Sequence, residues 1–266
     1  MTSLPRLMVA PNGARRGKSD HAALPVTDDE VVDTARACQK AGADGIHLHI
    51  RDAAGEHLLD AKRYSALLDR LADIVPGMYL QVTSEAAGRY SGQEQRAMMR
   101  ELKPAHVSVA MREMVRNPTD WPEAQEFYYW AVENNVEIQH ILYSPDEVVA
   151  FVNALNANKI PGDHHLIQLV QGSYAKGASA VIDLKDYLFQ LNKTQDHSFD
   201  WMVCAFGRDE TAHLVEAARM GGKARAGFEN SLWNADGSLA TDNAARIVEI
   251  DAALNEIAPS LLSEST

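Results

Sequence analysis

Residues 45–52 read Gly-Ile-His-Leu-His-Ile-Arg-Asp, which sets two imidazoles one residue apart. Side chains alternate across a strand, so His47 and His49 share one face while Ile46, Leu48 and Ile50 take the other. Such a pair is a two-point grip for a divalent metal. In isolation it reads equally as two core histidines bonded to buried neighbours. A second stretch, 223–229, gives Lys223, Arg225, Gly227 and Glu229 one parity and Ala224, Ala226 and Phe228 the other. If the two stretches meet, His47, His49 and Glu229 form a two-imidazole, one-carboxylate set with an open position, as in catalytic zinc sites. Mn²⁺ or Co²⁺ also suits these ligand types. Arg225 then faces the same cavity as a buried guanidinium. Its alternative role is a structural ion pair with an interior carboxylate, perforce including Glu229 among the candidates.

The elements around these stretches say how they meet. Short apolar or β-branched runs predict strands at 7–10, 45–49, 78–82, 106–109, 137–142, 164–170, 201–205 and 223–227. Between them, apolar residues recur three or four apart, predicting helices. The first begins at a capping box, Thr27 with Glu30, and stops at Gly42. Others are predicted at about 60–75, 92–102, 122–134, 145–158, 176–192, 208–220 and 241–256. Eight strands alternating with eight helices close a parallel barrel, so the expected fold is α/β, a (β/α)8 TIM barrel in one domain over 1–266. An open doubly wound sheet is the alternative. Closure sets the eighth strand beside the first and the first beside the second, which brings Glu229 to the corner held by His47 and His49. The catalytic end of such a barrel is the C-terminal end of its strands. Segment 11–26, too long for an ordinary connection, is expected to lie over the mouth.

Composition narrows the class. The chain of 266 residues is 46% hydrophobic and 23% charged, with 37 acidic against 25 basic residues and a formal net charge of −12, which argues against a nucleic-acid partner. No apolar run reaches the roughly 20 residues of a membrane span, and the N-terminus lacks a signal-peptide core. Two cysteines, Cys38 and Cys204, without partners at metal-site spacing suit a cytoplasmic location. Other polar residues at strand ends are candidates for substrate binding: Asn12, Arg15, Thr83, Ser84, Ser108 and Gln139, with Gly207 and Arg208. The stretch 171–177 matches neither nucleotide fingerprint, and no G-x-S-x-G elbow is present. His140, His164, His165 and His213 are read as structural or surface residues.

The stretches APNGARRGKSDHAALPVT (10–27), AGADGIHLHIRDAAGEHLLD (41–60), WMVCAFGRDE (201–210) and MGGKARAGFENSLWNADGSLATDN (220–243) resemble the β-keto acid cleavage enzymes, which include the 3-keto-5-aminohexanoate cleavage enzymes. The resemblance implies a zinc-dependent barrel, a homotetramer, that turns a β-keto acid and acetyl-CoA into acetoacetate and a new acyl-CoA. It implies His47, His49 and Glu229 as metal ligands, with Arg225 supporting the base. In that family the base is an aspartate after the glutamate ligand; here the position is Asn230, and a carboxamide has no useful basicity near neutral pH. Either another group takes the proton, with a metal-bound hydroxide or a carboxylate such as Glu85 as candidates, or the reaction differs, or the activity is lost. Arg15 and Gln139 stand where amine-binding acids are expected, which implies a neutral or anionic substrate tail. Arg15, Arg16, Lys18 and Arg208 are candidates for meeting the anionic CoA. Two other functions fit the same residues: a CoA-independent metal aldolase or hydrolase, and a catalytically silent metal-binding sensor.

Overall fold

The computed structural model describes residues 3–172 and 182–263, with side chains up to residue 257. Eight parallel strands close into a barrel in chain order: β1 (Leu7–Val9), β2 (Gly45–Leu48), β3 (Tyr79–Thr83), β4 (His106–Ala110), β5 (Glu137–Leu142), β6 (His164–Gln171), β7 (Ser198–Ala205) and β8 (Lys223–Ala226). β1 closes the ring, pairing Met8 with Arg225 of β8 on one side and with Gly45 of β2 on the other. Helices follow the strands: α1 (Asp28–Lys40), α2 (Ala61–Ile74), α3 (Gly92–Leu102), α4 (Trp121–Glu133), α5 (Pro145–Asn156), α6 (Leu184–Leu191), α7 (Glu210–Arg219) and α8 (Asn243–Ser263). The barrel expectation therefore holds, and the open-sheet alternative does not.

The alternation in each strand sorts two cores. Outward residues such as Ile46, Leu48, Val107, Val109, Ile167 and Val203 pack on the helices in the main hydrophobic cluster. Inward residues fill the barrel in layers. Leu4, Met8, Leu166 and Met202 plug its N-terminal end, and Ala110, Ile141, Val170 and Cys204 form an apolar patch nearer the mouth. The capping box that starts α1 forms: Thr27 Oγ1 accepts from Glu30 N at 3.2 Å, and Glu30 Oε2 accepts from Thr27 N at 3.0 Å. Such a cap contributes about 1 kcal/mol. Ser91 and Glu94 make the same arrangement at α3, a signal equally present in the sequence.

Several boundaries differ. β2 ends at Leu48, so His49 lies just beyond it, before a small hairpin of Ile50–Arg51 and His57–Leu58. β8 ends at Ala226, so Glu229 is not a strand residue and parity does not carry it inward. Instead Gly227 turns the chain at φ +133°, and Glu229 N donates to Ala10 O at 3.0 Å, folding the turn back over β1. A short helix, Met111–Met114, follows β4. The predicted helix at 176–192 begins within 173–181, outside the described residues.

Gly227 has no room for a side chain: a Cβ there stands 2.6 Å from Ala10 O and 2.9 Å from Asn243 Oδ1. Strain and clash at such a position cost of order 1–3 kcal/mol. Gly227→Ala is expected to lower the thermal midpoint by roughly 3–10 °C for a chain of this size. An unchanged midpoint in a thermal melt contradicts this account of the turn.

Candidate metal centre and active-site cavity

His47, on β2, and His49, just after it, point into the barrel and are 1% exposed. Their Nε2 atoms lie 3.1 Å apart, and Glu229 Oε2 stands 3.8 Å from the first and 3.7 Å from the second. Four ligands at zinc–nitrogen and zinc–oxygen distances are separated from one another by about 3.4 Å. The three atoms therefore have the spacing of one metal's coordination shell. No other group of three such side chains meets this test among the described residues.

The chemistry of the donors fits as well. His47 Nδ1 donates to Gln81 Oε1 at 2.8 Å, because Gln81 Nε2 is committed to Gln139 Oε1, also at 2.8 Å. Gln139 Nε2 in turn reaches Ile167 O at 3.3 Å. This amide relay across β3, β5 and β6 places the proton of His47 on Nδ1 and turns the Nε2 lone pair toward His49 and Glu229. Outer partners of this kind fix ligand tautomer and orientation. Burial and the nearby Arg225 hold His47 at about 4, and burial with His47 alongside pushes His49 well below its ordinary value. Both rings are thus neutral, as ligands must be.

Arg225 Nη2 lies 3.3 Å from Glu229 Oε1, leaving Oε2 toward the histidines, and 3.4 Å from Cys204 Sγ. The ion pair weighed for Arg225 is present, and it orients the carboxylate. Arg16 bonds the turn from above, donating to Phe228 O at 2.5 Å and Asn230 O at 3.4 Å. From below, Asn243 Oδ1 accepts from Phe228 N at 2.9 Å. Arg246, fully buried, donates to Glu210 Oε2 at 2.7 Å, and Glu210 Oε1 accepts from Gly227 N at 3.3 Å. Burial raises Glu210 to about 7 despite Arg246.

His47, Arg225 and Glu229 floor a cavity of about 300 Å³ at the C-terminal mouth. One wall is polar, with Arg15, His47, Thr83, Glu85, Arg225 and Glu229; the other is largely apolar, with Ile141, Tyr143, Val170, Cys204 and Phe206. Arg112 and Glu113 complete it. Half-buried Glu85 is raised to about 7, mainly by burial and by facing Glu229, against the lowering effect of Arg15 at 3.5 Å.

Of the other residues singled out in the sequence, Arg15 and Thr83 reach this cavity and the rest do not line it. Gln139 sits one layer below Ile141 on the same face of β5, fully buried in the relay. Asn12 Nδ2 bonds Pro25 O and His49 O, each at 3.1 Å, and so pins segment 11–26 to the ligand strand. Ser84 faces outward, its hydroxyl on Ser108 O at 2.7 Å. Ser108 is buried below the mouth. Asn230 is 0% exposed; neither end of its amide has a partner among the described residues. Lys18 pairs with Glu30 at 2.7 Å, and Arg208 lies 3.7 Å over the Trp233 ring. His140 and His165 are buried among rings, and His164 meets Ser198.

Three residues escaped the sequence reading. Arg51 shares the face of His47 and His49, and it ties Gly55 O, Arg16 O and Gly13 O together, clamping segment 11–26. That shared parity was a readable signal. His57, from the hairpin, lies 5.2 Å from the His49 ring and reaches Glu85 O at 2.8 Å. His21 packs on Phe228 at 4.4 Å. Nothing local in the sequence announces either contact.

The fold and the cavity define a (β/α)8-barrel enzyme working at the C-terminal ends of its strands. The chain belongs to the β-keto acid cleavage enzyme family, whose sequence model matches residues 6–264. It is 27% identical over 260 residues to the 3-oxoadipate:acetyl-CoA acetyltransferase of Cupriavidus necator, covering 94% of this chain and 88% of that one. It is 23% identical over 239 residues to the 3-keto-5-aminohexanoate cleavage enzyme of Fusobacterium nucleatum, covering 87% and 84%. A solved ternary complex of ObcA with a C4-CoA adduct and oxalate superposes with a TM-score of 0.66 at 13% identity, over 89% of this chain. The present chain spans 64% of ObcA, and this likeness speaks for the fold alone.

Two outcomes follow for the site. Gln81→Leu removes the partner of His47 Nδ1 and is expected to weaken zinc affinity about 10–100-fold in a chelator-competition titration; unchanged affinity contradicts the relay's role. In chelator-treated protein, burial holds His47, His57 and His165 at about 4, and His49 and His140 well below the ordinary imidazole value. Unfolding lets all five take up protons as pH falls from about 6.5 toward 4, so the folded state loses stability across that window. Glu85 and Glu210, both raised, oppose this, while His106, also lowered by burial, adds to the histidines. A thermal midpoint that rises as pH falls through this range overturns the assignment of neutral buried rings.

Proposed function

We propose that the protein cleaves a β-keto acid with acetyl-CoA, giving acetoacetate and a new acyl-CoA, at a centre held by His47, His49 and Glu229. The observation that carries this is the convergence of those three side chains on one point, with His47, Glu229 and Arg225 lining one cavity, in a chain of the β-keto acid cleavage family. The proposed ion is zinc, suited to two imidazoles and a carboxylate, with Mn²⁺ or Co²⁺ tolerated. When bound, it supplies Lewis-acid polarisation of the keto group.

The chain's own residues do the rest. Arg225 fixes the Glu229 carboxylate through Oε1 and lends positive charge to the cavity floor, where a substrate carboxylate is received. Thr83 Oγ1 accepts from Glu85 N at 3.0 Å, which leaves its hydroxyl proton for a substrate oxygen. Asn12, Ser84, Ser108 and Gln139, proposed from sequence as substrate contacts, are better read as supports behind the cavity. Arg15 remains a substrate contact, and the apolar wall shields the reacting atoms from water. Asn230 cannot accept a proton and serves no catalytic role in this reading.

At the rim, Arg15 and Arg112 favour a neutral or anionic substrate tail over an aminated one, as suits the substrate named for the Cupriavidus relative. A charge-assisted contact contributes about 1.5–3 kcal/mol. A β-keto dicarboxylate is therefore expected to exceed its amino analogue at least about tenfold in kcat/KM. Equal values contradict the tail assignment. The reading extends to a cytoplasmic homotetramer built of one barrel domain per chain. Exposed Val132, Phe189 and Val248 offer it apolar contact surface, and the free thiols Cys38 and Cys204 suit a reducing compartment.

The direct test is acetoacetate formation from acetyl-CoA by zinc-loaded protein with a panel of β-keto acids, alongside Asn230→Asp. Wild-type turnover is expected. Loss of keto acid without CoA points instead to an aldolase or hydrolase, and binding without turnover to a sensor. Activity confined to Asn230→Asp contradicts the proposal.

A further inference from the structure

The proposed cleavage begins with loss of a proton from the carbon between the keto and carboxylate groups. Asn230 has no basic atom to take it and is fully buried off the cavity lining. Among the described residues three carboxylates line the cavity: Glu85, Glu113 and Glu229. Glu229 is committed, with Oε1 on Arg225 and Oε2 facing both imidazoles. Glu113 is committed too: its Oε2 accepts from Ala86 N at 3.0 Å and from Gln95 Nε2 at 2.8 Å, which ties it under the segment after β3. Glu85 differs from both.

Resting on the function proposed above, we infer that Glu85 is the catalytic base of this chain, with Arg15 as its positioning residue. Its backbone is pinned on both sides, N–H to Thr83 Oγ1 at 3.0 Å and C=O to His57 Nε2 at 2.8 Å. Among the described residues the carboxylate itself carries no hydrogen bond beyond the long contact to Arg15 at 3.5 Å. Glu85 stands two residues past Thr83, the last residue of β3, and lines the cavity beside it. A fixed main chain with an uncommitted carboxylate facing the cavity is what proton transfer requires.

The proton balance closes on this one residue. Glu85 takes the proton as the C–H bond breaks, and the electron pair forms a bond to the acetyl carbon as the CoA thiolate leaves. The thiolate then bonds the substrate's keto carbon, the carbon–carbon bond breaks, and the pair left on the original carbon recovers the proton from Glu85. Acetoacetate and acyl-CoA leave with no net proton change.

The test compares wild type, Glu85→Gln and Glu85→Asp, each zinc-loaded. It reads acetoacetate formation, and separately α-proton exchange of the keto acid with D2O by NMR without acetyl-CoA. Glu85→Gln is expected to lower both rates about 10²–10⁴-fold with bound metal and KM little changed, and to abolish the acid limb of the kcat/KM profile. Glu85→Asp is expected to fall between. Rates in Glu85→Gln within threefold of wild type overturn the assignment. Wild-type exchange that needs Glu85 but yields no acetoacetate sinks the acetyl-CoA reading and leaves the base standing. Neither exchange nor turnover in wild type overturns both. Should Glu85→Gln lose its metal, Glu85→Asp decides: an acid limb that moves supports the proposal, and one that stays overturns it.

Discussion

The close approach of two backbones, at Gly227 and Ala10, is the constraint on which the mouth of this barrel depends. β8 ends at Ala226, and the chain must reverse over β1 within two residues for Glu229 to meet the histidines of β2. Only glycine allows it, since any Cβ meets Ala10 O. The turn so formed is held from outside by Arg16 and from inside by Asn243 and the buried Glu210–Arg246 pair. Such a pair adds little net stability once desolvation is counted. Glu210 accepts from Gly227 N, so the pair's value lies in fixing the turn's geometry.

A second constraint comes from burial. Polar groups removed from water cost free energy unless they are bonded, and the barrel interior beneath the mouth contains His47, Gln81, Gln139 and Gln168. The structure meets this cost by chaining the first three, so one network both satisfies the interior and aims His47 Nε2. Packing and ligand orientation are the same interactions here. Arg51 plays the matching part above the mouth, gathering carbonyls of segment 11–26, from which Arg15 reaches the cavity and Arg16 the turn that carries Glu229.

Much of this was legible in the residues. The alternation of strands and helices gave the barrel, and period-two parity was enough to turn His47 and His49 inward. For Glu229 parity led to the right neighbourhood by a wrong route: the residue is delivered by a turn, which period two does not describe. Gln139 shows the complementary limit. Parity turned it inward correctly, but depth along the barrel axis depends on register between strands, and that placed it under Ile141, away from the cavity. His21 and His57 depend on contacts between segments far apart in the chain, which no local pattern encodes.

The central claim is that His47, His49 and Glu229 act as one metal centre. Anomalous diffraction from crystals of the zinc-loaded protein tests it most directly. The account predicts a single strong peak within coordination distance of both Nε2 atoms and the Glu229 carboxylate, absent in His49→Ala. A peak elsewhere, or none between these three side chains at saturating zinc, would contradict it.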